Sequence, residues 1–408
     1  MDAWEQPLSR RRFLGTAAAA AVAASPLAAA ARAATSAELG LPQPARSGLD
    51  HVVVVMMENR SFDHALGWLP GADGKQAGLT YLDAAGAPHS TFPLAPDFQG
   101  CSYSDPDHSY DGARVEWNNG ACDGWLRAGA NDIYSIGYYN QQDLPFLGHA
   151  APAFTTCDRY FAPILGPTFP NRFYFHAGVT DRLDDAFTRN DSPTIWDRLA
   201  AAKLRGGYYC GSVNFLLLWN QKYNSITHTY KQFFADCKSG KLPALSLVDP
   251  NYTVEDTGPQ SGIGNDDHPH SDIRAGESFL STIYNALIRS PAWPRTLLVI
   301  TFDEWGGFFD HVPPPAANDV DPRFMQRGFR VPCLLISPFA RRGHVAHGVY
   351  DHTSILRLVE WRWGLAPLSI RDREANNLAA ALDFSRRVLS APKITAPPLA
   401  TGPVCPAT

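Results

Sequence analysis

The segment VVVVMMENRSFDHALG, residues 52–67, joins a strongly apolar run to a group of polar and charged side chains. Four valines followed by two methionines are typical of a strand buried on both faces, as in the centre of a parallel sheet. The run ends directly in Glu58 and Asn59, with Asp63 and His64 close behind. Because ligands of open parallel sheets bind beyond the carboxyl ends of the strands, this segment predicts a functional site at its polar end.

Other parts of the chain repeat the pattern of buried strands and amphipathic helices. Further apolar runs bounded by turn residues occupy residues 244–249, 296–303 and 331–338. Amphipathic helical patterns occupy residues 192–204, 271–290 and 351–365. Alternating strands and helices predict βαβ units and therefore an α/β fold, with a mostly parallel central sheet and helices on both faces.

The domain boundaries follow from composition. A chain of 408 residues that is 45% hydrophobic allows one large α/β domain or two ordinary ones, and we interpret residues 45–390 as a single domain. Residues 70–150 are rich in Gly, Asp, Asn, Tyr and Trp with weak periodicity, which indicates an irregular, cap-like insertion. The Pro-rich tail, residues 391–408, is predicted to be extended or disordered.

The N-terminus has the pattern of an export signal. The segment SRRRFLGTAAAAAVAASPLAAAARAA, residues 9–34, places paired arginines and Phe-Leu before an Ala-rich run. This resembles a twin-arginine signal, and we therefore exclude residues 1–34 from the fold. The alternative is a chance arginine cluster before an anchor helix, but Pro26 interrupts the run. We expect export by the twin-arginine machinery to a secreted, periplasmic or cell-wall-associated location.

Charge and cysteine content limit the other functions. A net charge of −5 gives no electrostatic argument for binding nucleic acid. An exported chain with seven cysteines permits disulfides, and proximity in sequence favours Cys101 with Cys122 and Cys210 with Cys237, although connectivity stays open. Cys333 lies in an apolar run and is expected in the core.

Acidic residues follow three of the predicted strands. Glu58, Asp249 and the pair Asp303–Glu304 each stand where an apolar run ends. One acid after a strand is usually a helix cap or turn former, but like charges gathered at one sheet edge repel unless a cation lies among them. Carboxylate and amide oxygens suit a hard cation, so we predict a metal ion bound by Glu58, Asn59, Asp303 and Glu304. Asp249 fits by position alone.

A second motif is ILGPTFPNRFYFHAG, residues 164–178. Thr168 stands between two prolines, which limit the conformations of the segment and present the hydroxyl for metal contact or nucleophilic attack. Asn171 and Arg172 follow and could donate hydrogen bonds to an anionic phosphoryl group. The alternative is a Pro-rich turn with a structural threonine.

Histidines in acidic surroundings form a third group. His268, His311 and His352 each follow an aspartate directly. Histidine can protonate a leaving alkoxide or bind a metal, although an exposed surface histidine is the alternative for each.

Together these motifs resemble the bacterial phospholipase C and acid phosphatase phosphoesterases of the alkaline phosphatase-like superfamily. The matching segments are ENRSFDHALG (58–67), DPDHSYDG (105–112), WNNGACDG (117–124), GPTFPNRFYF (166–175), NDDHPHSD (265–272), FDEWGGFFDHVPPP (302–315) and YDHTSILRLVEWRW (350–363). They occur in the order of the family, which makes the resemblance specific. After His64, Ala65 and Leu66 replace the aromatic pair that is usual in the family.

The resemblance implies an alkaline phosphatase-like three-layer sandwich and a role for each matched residue. Glu58, Asn59, Asp303 and Glu304 would hold the metal, with Thr168 as both ligand and nucleophile of a phosphothreonine intermediate. His352 or His268 would protonate the leaving alcohol. The substrate would contact Asn171, Arg172, His108 and His311.

The threonine of GPTFPNR is similar to that of the phospholipase C branch, and this resemblance implies phosphodiester substrates such as phosphatidylcholine at a membrane surface. The rival is an acid phosphatase acting on phosphomonoesters, and a remote alternative is an inactive exported binding protein on the same fold. A nucleotide enzyme is least favoured, since no GxGxxG or P-loop follows a strand. Oxygen ligands favour Ca, Mg, Mn or Fe as the divalent or trivalent ion, and nearby histidines also permit Zn.

Overall fold

Strand β1 (His51–Met57) coincides with the apolar run on which the fold prediction rests. A computed structural model describes residues 39–253 and 263–405, so the predicted export signal lies outside the described residues. The further strands are β2 (Thr80–Leu82), β3 (Pro88–Ser90), β4 (Phe92–Pro93), β5 (Gly137–Tyr138), β6 (Thr155–Cys157), β7 (Gly206–Tyr209), β8 (Thr227–His228), β9 (Leu245–Val248), β10 (Thr296–Phe302), β11 (Cys333–Ile336) and β12 (His344–Ala346).

The helices lie between these strands and after them. They are α1 (Phe62–Leu66), α2 (Tyr110–Trp117), α3 (Leu147–Ala150), α4 (Thr168–Ala177), α5 (Ile195–Ala201), α6 (Tyr230–Ser239), α7 (Ile273–Ile288), α8 (His352–Trp363) and α9 (Ile370–Arg373). Helices α5, α7 and α8 correspond to the three predicted helices and begin after Thr194, Asp272 and Asp351, whose side chains accept hydrogen bonds from the first turn. None of the described helices is long and apolar enough to cross a membrane.

The central sheet of the described residues has the strand order β12-β6-β11-β10-β1-β9-β7-β8. Strand β1 lies parallel to both neighbours, with Val52 opposite Leu245 of β9 and Leu297 of β10. Strand β11 is the exception, since it is antiparallel to β10 and to β6. The predicted α/β fold with a mostly parallel sheet is therefore confirmed.

Both faces of the sheet centre are covered. Residues 52–57 of β1 are buried, as are all residues of β9 and β10. Because successive side chains of a strand point to opposite faces, continuous burial requires a packed layer on each side. Helix α6 packs on α7, and α4 packs on α5 and α8.

The segment between α1 and β6 is irregular. It contains the short strands β2 to β5 and the helices α2 and α3, with long turns between them. Glu277 of α7 anchors its C-terminal end, because one carboxylate oxygen accepts hydrogen bonds from the backbone N–H groups of Phe146 and Leu147. This carboxylate ties α3 to the main domain.

The predicted disulfides are wrong. The structure has a disulfide between Cys101 and Cys405, whereas Cys122, Cys210 and Cys237 are free and buried. Proximity in sequence misled the prediction because the C-terminal tail folds back onto the domain and brings residue 405 to the irregular segment. Cys333 is fully buried in β11, as expected.

The described part of the tail is extended and held against α7. The Tyr284 hydroxyl donates to the Pro392 carbonyl at 2.5 Å, and the Asn285 amide donates to the Ile394 carbonyl at 2.7 Å. Further along, the Leu399 N–H donates to the Ser278 hydroxyl at 3.1 Å. Side chains of one helix therefore satisfy the backbone of a segment that has no regular structure.

Glu277 makes the stability of the fold depend on pH. Burial raises the pKa of Glu277 to about 8, although the two hydrogen bonds from backbone N–H groups lower it. In the unfolded chain the pKa of Glu277 is near 4.5, so the folded state binds the carboxyl proton more tightly than the unfolded state does. Stability from this group is present at low pH and is lost as the pH rises from about 4.5 to 8. We expect Glu277→Gln to remove a slope on the order of 1 kcal/mol per pH unit from the free energy of unfolding.

Denaturant unfolding at several pH values measures this slope. The exposed Glu374, whose carboxylate accepts a hydrogen bond from Asn318 at 2.7 Å, provides the matched control Glu374→Gln. Parallel pH profiles for wild type and Glu277→Gln would contradict the assignment.

Candidate active site

The carboxyl ends of the three adjacent strands β9, β1 and β10 bring their acidic residues together around one guanidinium group. Arg172 donates to Glu58 at 3.2 Å, to Asp249 at 3.1 Å and to Asp303 at 3.0 Å. It also donates to the Met56 carbonyl at 3.3 Å. All four side chains are buried. The predicted gathering of acids at one sheet edge is thus present, and part of its charge is balanced by Arg172.

The balance is incomplete. The three carboxylate contacts of Arg172 do not include Glu304, the residue after Asp303, which is a fourth buried acid. The pKa of the nearby His108 is raised to about 10 by Glu304 and Asp105 against the effect of burial. Burial raises the pKa of Glu58 well above its usual range, and the nearby Asp303 raises it further against the effect of Arg172. Burial also raises the pKa of Glu304 to about 8. Excess negative charge of this kind favours a bound cation or proton.

Two oxygens at this edge fit a hard cation. Within the described residues, Asn59 Oδ1 and Glu304 Oε1 are buried and have no hydrogen-bond partner. Their neighbouring atoms are fixed, since Asn59 Nδ2 contacts His108 Nε2 at 3.3 Å and Glu304 Oε2 accepts from the Gly306 N–H at 2.6 Å. Buried oxygens held in place without a donor are the kind of ligand that Ca²⁺, Mg²⁺ or a similar ion takes.

Two positive φ angles shape this region. Asn59 has a φ of 57°, which turns the chain sharply after β1. Gly306 has a φ of 64°, and a Cβ atom at this position would lie 2.3 Å from the Asn59 carbonyl oxygen. Only glycine permits this close approach, so Gly306 brings the loop after β10 directly against the residue after β1.

Thr168 lines a cavity together with Glu58 of the acidic edge. It is the first residue of α4, is half-buried, and lines a cavity of about 370 Å³. The cavity is lined by Glu58, Asp105, His108, Thr168, Phe169, Asp185, Phe187, Val213, Phe215, Tyr252, Thr253 and His268. The hydroxyl therefore stands at a helix N-terminus, where the macrodipole favours negative charge.

The irregular segment supplies the opposite wall of the cavity. Asp105 and His108 come from this segment and meet His268, and the ligand atoms of these three residues lie within 4.8 Å of one another. The closest carboxylate oxygen of Asp105 is 4.0 Å from His268 Nε2. His108 Nδ1 donates to the Pro106 carbonyl at 2.8 Å, which fixes the orientation of its ring.

Asn171 and Arg172 contact the protein rather than the cavity. The Asn171 amide accepts from the Ile164 N–H at 2.9 Å and donates to the carbonyls of Gly166 and Pro167 at 2.6 and 3.0 Å. Asn171 thereby holds the loop before Thr168, and Arg172 holds the acidic edge. We assign neither residue to substrate contact, because the contacts above engage their polar groups.

His352 is fully buried behind the acidic edge. Its Nε2 donates to the Asp303 carbonyl at 2.8 Å, and its Nδ1 accepts from the Tyr160 hydroxyl at 3.1 Å. Burial lowers the pKa of His352 to about 4, so the ring is neutral at pH 7. The geometry gives His352 the role of orienting Asp303.

His311 lies in a different cluster. It contacts Asp63 at 2.5 Å and Asp73 at 3.1 Å, and the same cluster contains Asp310 and the buried Arg330. Burial opposes protonation of His311, but its hydrogen bond to Asp63 and the charges of Asp63 and Asp310 together raise its pKa. This cluster is separate from the residues that line the cavity.

Several residues lie at the site although no motif in the sequence gives them a role. Asp185 lines the cavity and accepts a hydrogen bond from the Phe169 N–H at 2.6 Å. Phe187 and Phe215 line the same wall. Asp185 stands among several acids in DRLDDAFTRND, so the sequence held no signal that singled it out.

The fold and site define an α/β enzyme with an acidic sheet edge, and comparison with known proteins identifies its family. Phospholipase C B of Mycobacterium tuberculosis is 28% identical, over 93% of this chain and 86% of the relative. Non-specific phospholipase C1 of Arabidopsis thaliana is 31% identical, over 82% of this chain and 70% of the relative. A solved structure from Vibrio parahaemolyticus, of a protein in the alkaline phosphatase superfamily, is 12% identical with a TM-score of 0.39 and covers 81% of this chain and 70% of its own. The fold class rests on the sheet topology described above.

The sequence model of the Phosphoesterase family matches residues 49–366. The chain belongs to this family, and it is a hydrolase that acts on phosphoric ester bonds.

Removal of Arg172 tests its part in holding the acidic edge. We expect Arg172→Met to lower the free energy of unfolding by about 3–5 kcal/mol at pH 7, because it leaves buried carboxylates without their partner. Arg172→Lys keeps one charge but loses the three-way contact, so an intermediate loss is expected.

Chemical denaturation measures both variants. The matched control is Arg189→Met, since Arg189 is 63% exposed and pairs with Asp191 on the surface. Exposed pairs contribute at most about 1 kcal/mol. Equal losses for the Arg172 and Arg189 variants would show that Arg172 does not hold the edge.

Proposed function

We propose that the protein is an exported, metal-dependent phosphoesterase that hydrolyses phosphodiesters in the manner of a phospholipase C, through a phosphothreonine at Thr168. One observation supports it above the others: Thr168 shares a cavity with Glu58 at the sheet edge where Asn59 and Glu304 hold buried oxygens without a donor among the described residues. The relatives named phospholipase C agree with this proposal.

A divalent or trivalent cation would be held by Glu58, Asn59, Asp303 and Glu304 together with the Thr168 hydroxyl. When bound there, it would supply positive charge that lowers the pKa of that hydroxyl and stabilises charge developing on the phosphoryl oxygens. Asp303 would contribute while its Oδ2 stays bonded to Arg172, because each carboxylate oxygen has two lone pairs.

The chain's own residues account for the remaining steps. The Thr168 hydroxyl gives its proton to solvent water and its Oγ attacks phosphorus, so that the Oγ–P bond forms and the bond from phosphorus to the alcohol oxygen breaks. His268 lines the cavity and donates a proton to the departing alcohol, whereas His352 is fully buried and bonded to Asp303. Water then hydrolyses the phosphothreonine and regenerates the hydroxyl. His108, held by Pro106, contacts the phosphoryl oxygens.

The charge of the cavity favours diesters over monoesters. Glu58, Asp105 and Asp185 line it and are acidic, whereas none of the described residues that line it is Lys or Arg. Glu304 and Asp105 raise the pKa of the lining residue His108 to about 10 against the effect of burial, but the three acids outnumber this one cation. A monoester brings two negative charges at neutral pH and a diester brings one, so the diester suffers less repulsion. This supports the phospholipase C interpretation over the acid phosphatase alternative.

The proposed location and partners rest on the N-terminal sequence. The twin-arginine pattern in residues 9–14 supports delivery by the twin-arginine machinery to a secreted, periplasmic or cell-wall-associated location. The relatives named phospholipase C support phospholipid as the substrate, which an exported enzyme would meet at a membrane surface.

Replacement of Thr168 tests the nucleophile. We expect Thr168→Ala to lose at least about a thousandfold in kcat, because no phosphoenzyme can form, while Thr168→Ser retains measurable turnover. Mass spectrometry of acid-quenched protein should detect phosphorylated residue 168 in wild type and in Thr168→Ser, but not in Thr168→Ala. Undiminished turnover by Thr168→Ala would exclude the covalent route, and no turnover by wild type would favour the binding-protein alternative.

Replacement of Glu304 tests the metal site. We expect Glu304→Gln to weaken metal binding at least about tenfold, since it removes a charge from an oxygen ligand. Elemental analysis after dialysis against a metal buffer measures the bound ion, and Glu374→Gln is the control variant. Chelation of wild type followed by re-addition of single metal ions identifies the ion that restores activity. Equal metal content in the two variants would contradict the assignment.

Substrate preference separates the two candidate activities. We expect kcat/KM for p-nitrophenylphosphorylcholine to exceed that for p-nitrophenyl phosphate by about tenfold or more, which corresponds to about 1.4 kcal/mol of transition-state preference. A tenfold preference for the monoester would favour the acid phosphatase instead.

A further inference from the structure

His268 lies on a loop, residues 265–272, whose backbone takes an unusual path on both sides of it. Asp267 has a φ of 75° and His270 has a φ of 73°, in the left-handed region that residues with a side chain rarely adopt. Residues persist in this region only where their surroundings hold them there. The loop that carries the proposed general acid therefore depends on contacts from its neighbours.

The end of β1 holds the part of this loop that precedes His268. The Glu58 N–H donates to the Asp266 carbonyl at 2.8 Å, and Arg60 Nε donates to the Asp267 carbonyl at 2.7 Å. Both donors belong to the ENRSFDHALG segment that follows the central strand. This side of the loop is thus fixed by the sheet itself.

Gln99 holds the part that follows His268, and it joins this part to the C-terminal tail. The His270 N–H donates to the Gln99 carbonyl at 3.0 Å, and Gln99 Nε2 donates back to the His270 carbonyl at 3.1 Å. The same amide nitrogen has a second hydrogen, and it donates to the Pro403 carbonyl at 2.5 Å. One side chain therefore bridges the loop and the tail.

The segment of residues 399–405, here termed the tail strap, packs on the loop directly. The Asn265 amide donates to the Ala400 carbonyl at 3.4 Å. A Cβ atom on Gly402 would lie 2.5 Å from the Cβ atom of Asp272, so the strap leaves no room there for a side chain. The tail strap therefore contacts both ends of the loop that carries the histidine.

A disulfide closes the tail strap. Cys405 at its end is bonded to Cys101, which is two residues from Gln99 and four residues from Asp105. Asp105 faces His268, with 4.0 Å between its carboxylate oxygen and Nε2 of the imidazole. The covalent bond thus joins the strap to the segment that supplies the opposite wall of the cavity, and it limits how far the strap can move from the loop.

We propose that the tail strap, closed by the Cys101–Cys405 disulfide and joined to the loop by Gln99, holds His268 where it can donate a proton to the departing alcohol. Cys101, Cys405 and Gln99 are then positioning residues, since they act through His268. This inference rests on the proposed function, in which His268 is the general acid. Loss of the strap should slow the reaction chiefly when the leaving group needs a proton, because p-nitrophenolate is a stable anion and an alkoxide is not.

The experiment compares two substrates with the same phosphoryl part and different leaving groups. These are monomeric dihexanoylphosphatidylcholine, whose leaving group is an alcohol, and p-nitrophenylphosphorylcholine. The measured quantity is the ratio of kcat/KM for the lipid to kcat/KM for the nitrophenyl ester. We expect the double variant Cys101→Ser/Cys405→Ser to lower this ratio by about five- to fiftyfold, and His268→Asn to lower it about a hundredfold or more. Gln99→Met, which keeps the disulfide, should lower the ratio as well.

Two controls separate positioning from general structure. Loss of the disulfide in the His268→Asn background should leave the ratio where His268→Asn alone puts it, because the strap then has no acid to position. A reductant should lower the ratio of wild type and leave that of the double variant unchanged. This comparison excludes effects of the reductant on the buried free cysteines or on a bound metal.

The opposite results would overturn the proposal. They are a double variant with the wild-type ratio, equal losses for both esters, or a strap effect that persists in His268→Asn, and a wild-type ratio in Gln99→Met removes that residue from the device. If wild type hydrolyses neither ester, or if His268→Asn keeps the wild-type ratio, the fault lies in the proposed function. Hydrogen exchange of residues 265–272, measured by mass spectrometry, then tests the strap. Faster exchange in the double variant than in wild type would support it, and equal exchange would overturn it.

Discussion

The arrangement of the site depends on the contact between Arg172 and the carboxylates at the ends of β1, β9 and β10. Parallel strands deliver Glu58, Asp249 and Asp303 to one edge, where their charges would repel in a buried environment. One guanidinium has enough donors to bond all three and the Met56 carbonyl as well. Lysine, with a compact charge, could not make this set of contacts in the same geometry.

The same helix supplies both the guanidinium and the proposed nucleophile. Thr168 and Arg172 are four residues apart in α4, so their side chains lie on the same face one turn apart. The Arg172 contacts therefore fix the position of Thr168 relative to the sheet edge, and Asn171 fixes the loop that enters the helix. In this way a buried ion-pair network determines where a half-exposed hydroxyl stands, and the excess charge it leaves determines where a cation would bind.

The sequence predicts the centre of the fold better than its periphery. Strands β1, β9 and β10 follow from continuous apolar runs, and their acidic ends follow from the rule that ligands bind at the carboxyl edge. Strands β6, β7, β8 and β12 are not predicted from the sequence, because segments such as GGYY in β7 are short and contain no apolar run. The Cys101–Cys405 disulfide joins residues 304 positions apart, a contact that depends on the path of the tail.

The side-chain roles show the same limit. The motif GPTFPNR drew attention to Thr168, Asn171 and Arg172 together, but only the three-dimensional contacts separate the hydroxyl at the cavity from the two residues bonded within the protein. His311 and His352 each follow an aspartate, like His268, yet of the three only His268 lines the cavity. Periodicity and residue type do not record which way a side chain points once its element is packed.

The central claim is that a cation binds between the residues after β1 and the residues after β10 while Arg172 keeps its carboxylate contacts. A crystal structure of the metal-loaded protein, with anomalous scattering recorded at the absorption edge of the bound ion, tests it most directly. We expect an anomalous peak about 2.0–2.6 Å from Asn59 Oδ1 and Glu304 Oε1, with Arg172 still bonded to Glu58, Asp249 and Asp303. A peak at Asp105, His108 and His268 without one at Asn59 and Glu304 would contradict it.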